Sequence, residues 1–352
     1  MIRTLLTTLL AAGALAAQSS SFVVPASATN APGNASFGFP FSYTGYTRLQ
    51  QAIGTSHFTG PKVLFGMALR PRSFPTSVIE VQVQGMDVRL SDCARPLNAL
   101  DTTYGNNVGA NVALVFSGSF NIRRPNPQDG LEFSLLIPFS QLYVHANTAP
   151  LLIDLAPTSF QNLPCGSGGN GTAFDFVNND PNMAIMYGKN GQCGLPTANG
   201  NPGTGGYVIR FYDQDQMLPY GKACRAASGR PVIASTGGAP GIGNSSFAIT
   251  LLAPGLTAGT AALLFARESA VFGGLSLPAE LGFIGAPDCF LETDVALVFS
   301  LPVGGGNAVA GLPIPASPGL IGQAFSAQWV FPDAGANALG LGFSQGGRMV
   351  IR

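Results

Sequence analysis

Between Ser77 and Ser91 apolar and polar residues alternate, and the phase of the alternation flips at Gly85. Val81 and Val83 alternate with Glu80, Gln82 and Gln84; Met86, Val88 and Leu90 then alternate with Asp87, Arg89 and Ser91. Successive side chains of a strand point to opposite faces, so a period of two predicts a half-buried strand. A one-residue phase change at a glycine predicts a β-bulge, which returns both halves to the same buried face. Leu131, Phe133, Leu135 and Ile137 predict a second strand of this kind, and Tyr207, Ile209 and Phe211 a third. Leu151-Leu152-Ile153 predicts a strand covered on both faces. No segment carries a helical period with caps, so the expected fold is all-β.

The rest of the composition fits that expectation. Glycine (46) and proline (27) make up about a fifth of the 352 residues, which predicts many short strands joined by tight turns. With 46% hydrophobic residues the chain can bury a large core and is not disordered. Charged residues are only 10%, against about 25% in an average soluble domain. The formal net charge is zero and the lysines are Lys62, Lys189 and Lys222, which excludes nucleic acid or anionic lipid as a partner. Residues 166–171 and 199–206 are rich in Gly, Asn and Pro and are expected to be loops.

Arg3 followed by the uncharged run Thr4 to Leu15 reads as a signal peptide, too short for a stable membrane span. Ala14-Leu15-Ala16 supplies the small-x-small pattern for cleavage, placing the signal peptide at residues 1–16. The mature protein is then expected to be secreted or held at the cell surface, in an oxidising compartment. Two β-sandwich modules, jelly-roll or Ig-like, are expected at residues 22–215 and 220–352, with the polar stretch 213–216 as a surface connection. The second region holds no charge between Arg230 and Arg267 or between Asp294 and Asp333. Within it, Ala248 to Ala266 is long enough to span a membrane, but Pro254, Gly255 and Gly259 interrupt it. Two strands flanking a Pro-Gly turn account for the same residues without lipid.

A resemblance rests on ordered motifs in the last third of the chain. They are Gly221-Lys222-Ala223-Cys224, Leu281-Gly282-Phe283-Ile284-Gly285-Ala286-Pro287-Asp288-Cys289, Leu312-Pro313-Ile314-Pro315 and Phe325-Ser326-Ala327-Gln328-Trp329. With the ending Asp333 to Gly340, they resemble the C-terminal module of a group of secreted β-rich proteins typical of Planctomycetes. The first region resembles the modules preceding it there more loosely, through Ser56-His57-Phe58, Gly109-Ala110-Asn111-Val112 and Leu151 to Leu155. The resemblance implies export and a β-sandwich; no activity is attached to the group. Cys224 and Cys289 stand at positions shared with it, and pairing them would fasten the module's leading segment to its body. Cys165 and Cys193 flank the Gly-rich loop and are the second expected pair, leaving Cys93 as a free thiol or an intermolecular link.

Catalytic chemistry has little to stand on. His57 and His145 are the two histidines, and neither lies near a Gly-x-Ser-x-Gly turn, which the chain lacks. Each is expected to be a hydrogen-bonded strand-end residue. Glu80 and Glu132 are expected on solvated strand faces, whereas Asp154, inside an apolar run, is expected to be either a strand-end residue or the acceptor of backbone and arginine hydrogen bonds. Calcium is the ion these residues would suit, with Asp175, Asp180, Asp213 and Asp215 as candidate ligands, although Asp and Asn are also ordinary turn formers. Trp329 is expected in the core. The functional expectation is a non-enzymatic structural or adhesive protein contacting an extracellular polymer or surface protein. The alternatives are a pair of carbohydrate-binding modules, which needs exposed aromatics, and a glycan-active hydrolase, which needs two facing carboxylates about 5 to 9 Å apart.

Overall fold

The computed structural model describes residues 21–37, 48–72, 81–122, 131–158, 173–188, 198, 203–213, 215–224 and 229–352. The signal peptide and the Cys165–Cys193 pair lie outside the described residues, as does Glu80. Among the described residues every long element is a strand, and the helical pieces are short 3-10 turns. The fold is all-β.

The first region is a sandwich of two antiparallel sheets. One sheet runs in the order Ser21–Val24, Ile209–Tyr212, Lys62–Leu69, Leu135–His145. The other runs Ala35–Phe37, Phe174–Asn178, Gly203–Tyr207, Met183–Tyr187, Leu49–Ile53, Leu151–Pro157, Val81–Asp92, Ala113–Ile122. Their facing sides interlock Leu64, Met67, Ile137 and Phe211 with Val88, Leu90, Ile153 and Phe174 in one buried core. The strand Val81–Asp92 shifts register between Val83 and Met86, which is the bulge that the phase flip predicts. Leu151–Pro157 pairs on both edges, and its second face is covered by Leu100, Tyr104 and Ala198 against Leu152. Its run of apolar residues therefore has two cores to fill.

Two segments differ from the sequence expectation. Tyr207, Ile209 and Phe211 do not share one strand: the chain leaves the larger sheet after Tyr207 and joins the smaller one at Ile209, all three side chains staying in the core. Residues 203–206, expected as loop, open the strand Gly203–Tyr207 inside the larger sheet. Glycine is demanded there, because a Cβ on Gly205 (φ +121°) would lie 2.1 Å from the Val177 carbonyl oxygen.

The second region is one eight-stranded antiparallel sheet rolled around its own core. Its order is Leu218–Tyr220, Leu341–Val350, Ala324–Pro332, Ala258–Arg267, Leu297–Gly304, Asn307–Gly311, Ala248–Leu252, Val232–Thr236. Phe247, Ile249, Leu251 and Ile233 from one end pack on Leu263, Trp329, Phe331 and Met349 from the other. Trp329 is fully buried, as expected. The two strands that flank Pro254-Gly255 are present but do not pair with each other; two other strands stand between them. No helix among the described residues is long and apolar enough to cross a membrane. Residues 268–295 leave this sheet and return over its outer face, where the Cys224–Cys289 disulfide forms, its paired Cα atoms 4.6 Å apart. Both sulfurs lie within hydrogen-bonding reach of the Asn337 amide, at 3.5 and 3.4 Å. Cys93 is a buried free thiol.

Candidate functional site

The site begins with a proline. Pro138 lies in Leu135–His145 where the register against Lys62–Leu69 shifts, between the Leu64–Tyr143 and Gly66–Pro138 pairs. Proline lacks the ladder donor and is tolerated at such an irregularity, where the strand bends. Leu136 on that strand faces outward and meets Leu218 and Tyr220, the first residues of the second sandwich, together with Ala68, Phe133 and Val208. The outer face of the smaller sheet is thus an apolar seat for the second module. The connection is not a solvated one: Gln216 and Met217 are buried, and Asp215 pairs with Arg352 at 2.9 Å. Burial pushes the Asp215 carboxyl up, against the lowering effect of Arg352.

Glu132 crosses this seam. Leu131 is exposed and the strand starts only at Leu135, so the expected polar-face position for Glu132 is wrong; it is 3% exposed. Its carboxylate accepts from Gln345 Nε2 at 3.0 Å and from the Ala223 amide at 3.4 Å, with Arg230 at 3.7 Å. All three partners belong to the second region. A buried carboxylate with donors on the far side of a boundary ties the boundary shut.

Beside the seam is a cavity of about 480 Å³. Phe116, Leu136 and Pro138 of the first region and Leu277 and Pro278 of the second line it, together with the exposed residues Ser119, Glu268, Ser269 and Ala270. Arg348 reaches it from Leu341–Val350 and donates through Nε to Glu268 Oε1 at 2.8 Å. Glu292 lines the floor, where its Oε1 accepts from the Lys222 amide at 3.1 Å. Gly221 (φ +69°) makes room for that carboxylate: a Cβ there would lie 2.3 Å from Oε1. Tyr220 OH donates to the Glu292 carbonyl at 2.7 Å, and burial pushes this phenol well above its ordinary range.

The residues singled out from sequence lie elsewhere. Asp175 is buried against Arg70, Asp180 faces His57 at 3.1 Å, Asp213 accepts from Lys62 at 3.0 Å, and Asp215 holds Arg352. The four candidate calcium ligands are thus each engaged by a different cationic or imidazole side chain. Among the described residues no three His, Cys, Asp or Glu side chains converge as a metal-binding group. Asp154 accepts from Arg48 Nε at 2.8 Å and from Gln50 at 3.2 Å, the role its apolar surroundings require. The cavity residues were missed because they come from positions between Phe116 and Arg348 and share no local pattern. The sequence signals near them are Gly221, the first residue of the motif that opens the second module, and Ser326 of the Phe325–Trp329 motif.

His145 departs from expectation. It ends a strand, but among the described residues no partner lies within normal hydrogen-bond distance of either ring nitrogen; it packs on the Phe58 ring at 4.6 Å. Burial lowers its pKa, while Asp92 and Asn147 act in the opposite direction; Lys62 is its cross-strand neighbour. Below about pH 6.5 an unfolded histidine takes up a proton that the folded one resists. His145 therefore contributes stability above that pH, lost as the pH falls toward the lowered folded value. His145→Phe should flatten the fall in melting temperature between about pH 7 and 5 relative to wild type; parallel profiles would show that His145 is not responsible.

Comparison with protein-family models and with curated proteins finds no match to this chain.

Proposed function

We propose that this chain is an exported, non-enzymatic structural or adhesive protein of the cell surface or extracellular matrix, holding an uncharged extracellular polymer. The observation that carries the reading is the outer face of the second sandwich. There Thr260, Val298, Ser300, Pro302 and Val309, from three adjacent strands, are exposed and none is charged. Exposed sheet faces ordinarily carry charged and polar residues, and a neutral one suits contact with a neutral surface. The N-terminal segment and the disulfide support export. The resemblance of the last third to modules of secreted planctomycete proteins supports it further. A carbohydrate-binding pair would present aromatic platforms. Among the described residues, Phe283, 70% exposed, is the one aromatic with a largely open side chain, and it lies outside that face.

Fractionation of producing cells tests the reading. The chain should sediment with the cell envelope or matrix, begin at Ala17 by mass spectrometry, and stay bound in about 1 M salt, where charge contacts are screened to a few ångströms. Recovery with an intact Met1, or release by salt, would contradict it.

A further inference from the structure

We propose that the cavity between the two sandwiches binds a small, uncharged and largely apolar molecule that carries a hydrogen-bond acceptor at one end. Its volume, about 480 Å³, falls within the roughly 300–1,000 Å³ of small-molecule clefts, which favour boundaries between domains. Phe116, Leu136 and Pro138 of the first region and Leu277 and Pro278 of the second line it, so an apolar body has surface of both modules to bury against.

Arg348 sets the polar end. Its Nε is taken by Glu268, while its terminal guanidinium nitrogens donate to no acceptor among the described residues. An arginine lining a mostly apolar cavity has these donors to offer to an acceptor oxygen of a bound molecule. The charge of that acceptor follows from its neighbours. Glu268 already neutralises Arg348, and Glu292 lines the floor, so a ligand carboxylate would meet two protein carboxylates and one guanidinium. A carbonyl or ether oxygen gains the same donors without that repulsion. The residues that line the cavity and those of the neutral face are separate sets, so either assignment can fail without the other.

The experiment is a fluorescence titration of the full chain with Nile red, a neutral fused-ring dye bearing a carbonyl. One saturable site with blue-shifted emission is expected, displaced by methyl decanoate and much less by decanoate. Ala270→Trp, which fills the cavity from an exposed position, should abolish binding with an unchanged melting temperature. Ser269→Trp serves the same purpose if that variant fails to fold. Arg348→Met should weaken binding about 10-fold, the loss of one charge-assisted hydrogen bond. Wild-type affinity in a folded tryptophan variant, or decanoate competing as well as its ester, would overturn the proposal.

Discussion

Replacing Asp175 by alanine should destabilise the N-terminal sandwich by about 3–5 kcal/mol, the usual result of stranding one member of a buried ion pair. Asp175 is 2% exposed and Arg70 fully buried. The carboxylate accepts from Arg70 Nε at 2.7 Å and from the Gly33 amide at 2.9 and 3.0 Å. Arg70 also donates from Nη1 to the carbonyl of Ala28 and from Nη2 to that of Ala31, both at 2.9 Å. The pair therefore pins the segment around residues 28–33 to the edge of the larger sheet. In Asp175→Ala the guanidinium stays buried without its counter-charge. The doubly apolar variant Arg70→Met/Asp175→Leu should recover part of the loss, because it removes the uncompensated charge. Chelation provides the contrast with a calcium site: melting of the wild type should not move on adding EDTA. A small effect of Asp175→Ala together with a large effect of EDTA would reverse the assignment.

Loss of the Cys224–Cys289 bridge should have the next largest effect. The bridge closes a loop with a sequence separation of 65. The loop-entropy relation then gives about 4 kcal/mol, an upper bound since real bridges often deliver less. The bridge also stands in a small buried cluster with Ala279, Leu281, Ala286 and Phe343, under the excursion that carries the cavity's Leu277 and Pro278. Cys224→Ser/Cys289→Ser should therefore lower the melting temperature and loosen that excursion, read as faster hydrogen exchange across residues 270–290. Exchange unchanged there would mean that Phe343 and its neighbours hold the excursion without the covalent link.

The strands were legible in the sequence where burial is one-sided or symmetric. The alternation around Gly85 reports a bulge because a strand with one buried face must restore its phase, and Leu151 to Leu155 reads as apolar because both faces are covered. Legibility failed where a distant surface decides the environment. Glu132 has the spacing of a solvated strand residue, yet the second module caps it, and no local pattern encodes a partner at Gln345. Residues 203–206 look like loop because glycine is normally a breaker; only the close approach of the Val177 carbonyl explains a glycine inside a sheet. Asp175 and Asp213 look like turn or calcium residues because Arg70 and Lys62, which claim them, lie far away in sequence. The cavity is the extreme case, since it exists only once two sandwiches are docked.

The neutral face of the second sandwich carries the functional account, and placing charge on it is the most direct test. Ser300→Lys and Val309→Lys change exposed residues, so folding and melting should be nearly unaffected. The double variant should be exported normally but no longer sediment with the envelope or matrix. Retention equal to wild type in a folded double variant would contradict it and move the contact to another surface of the protein.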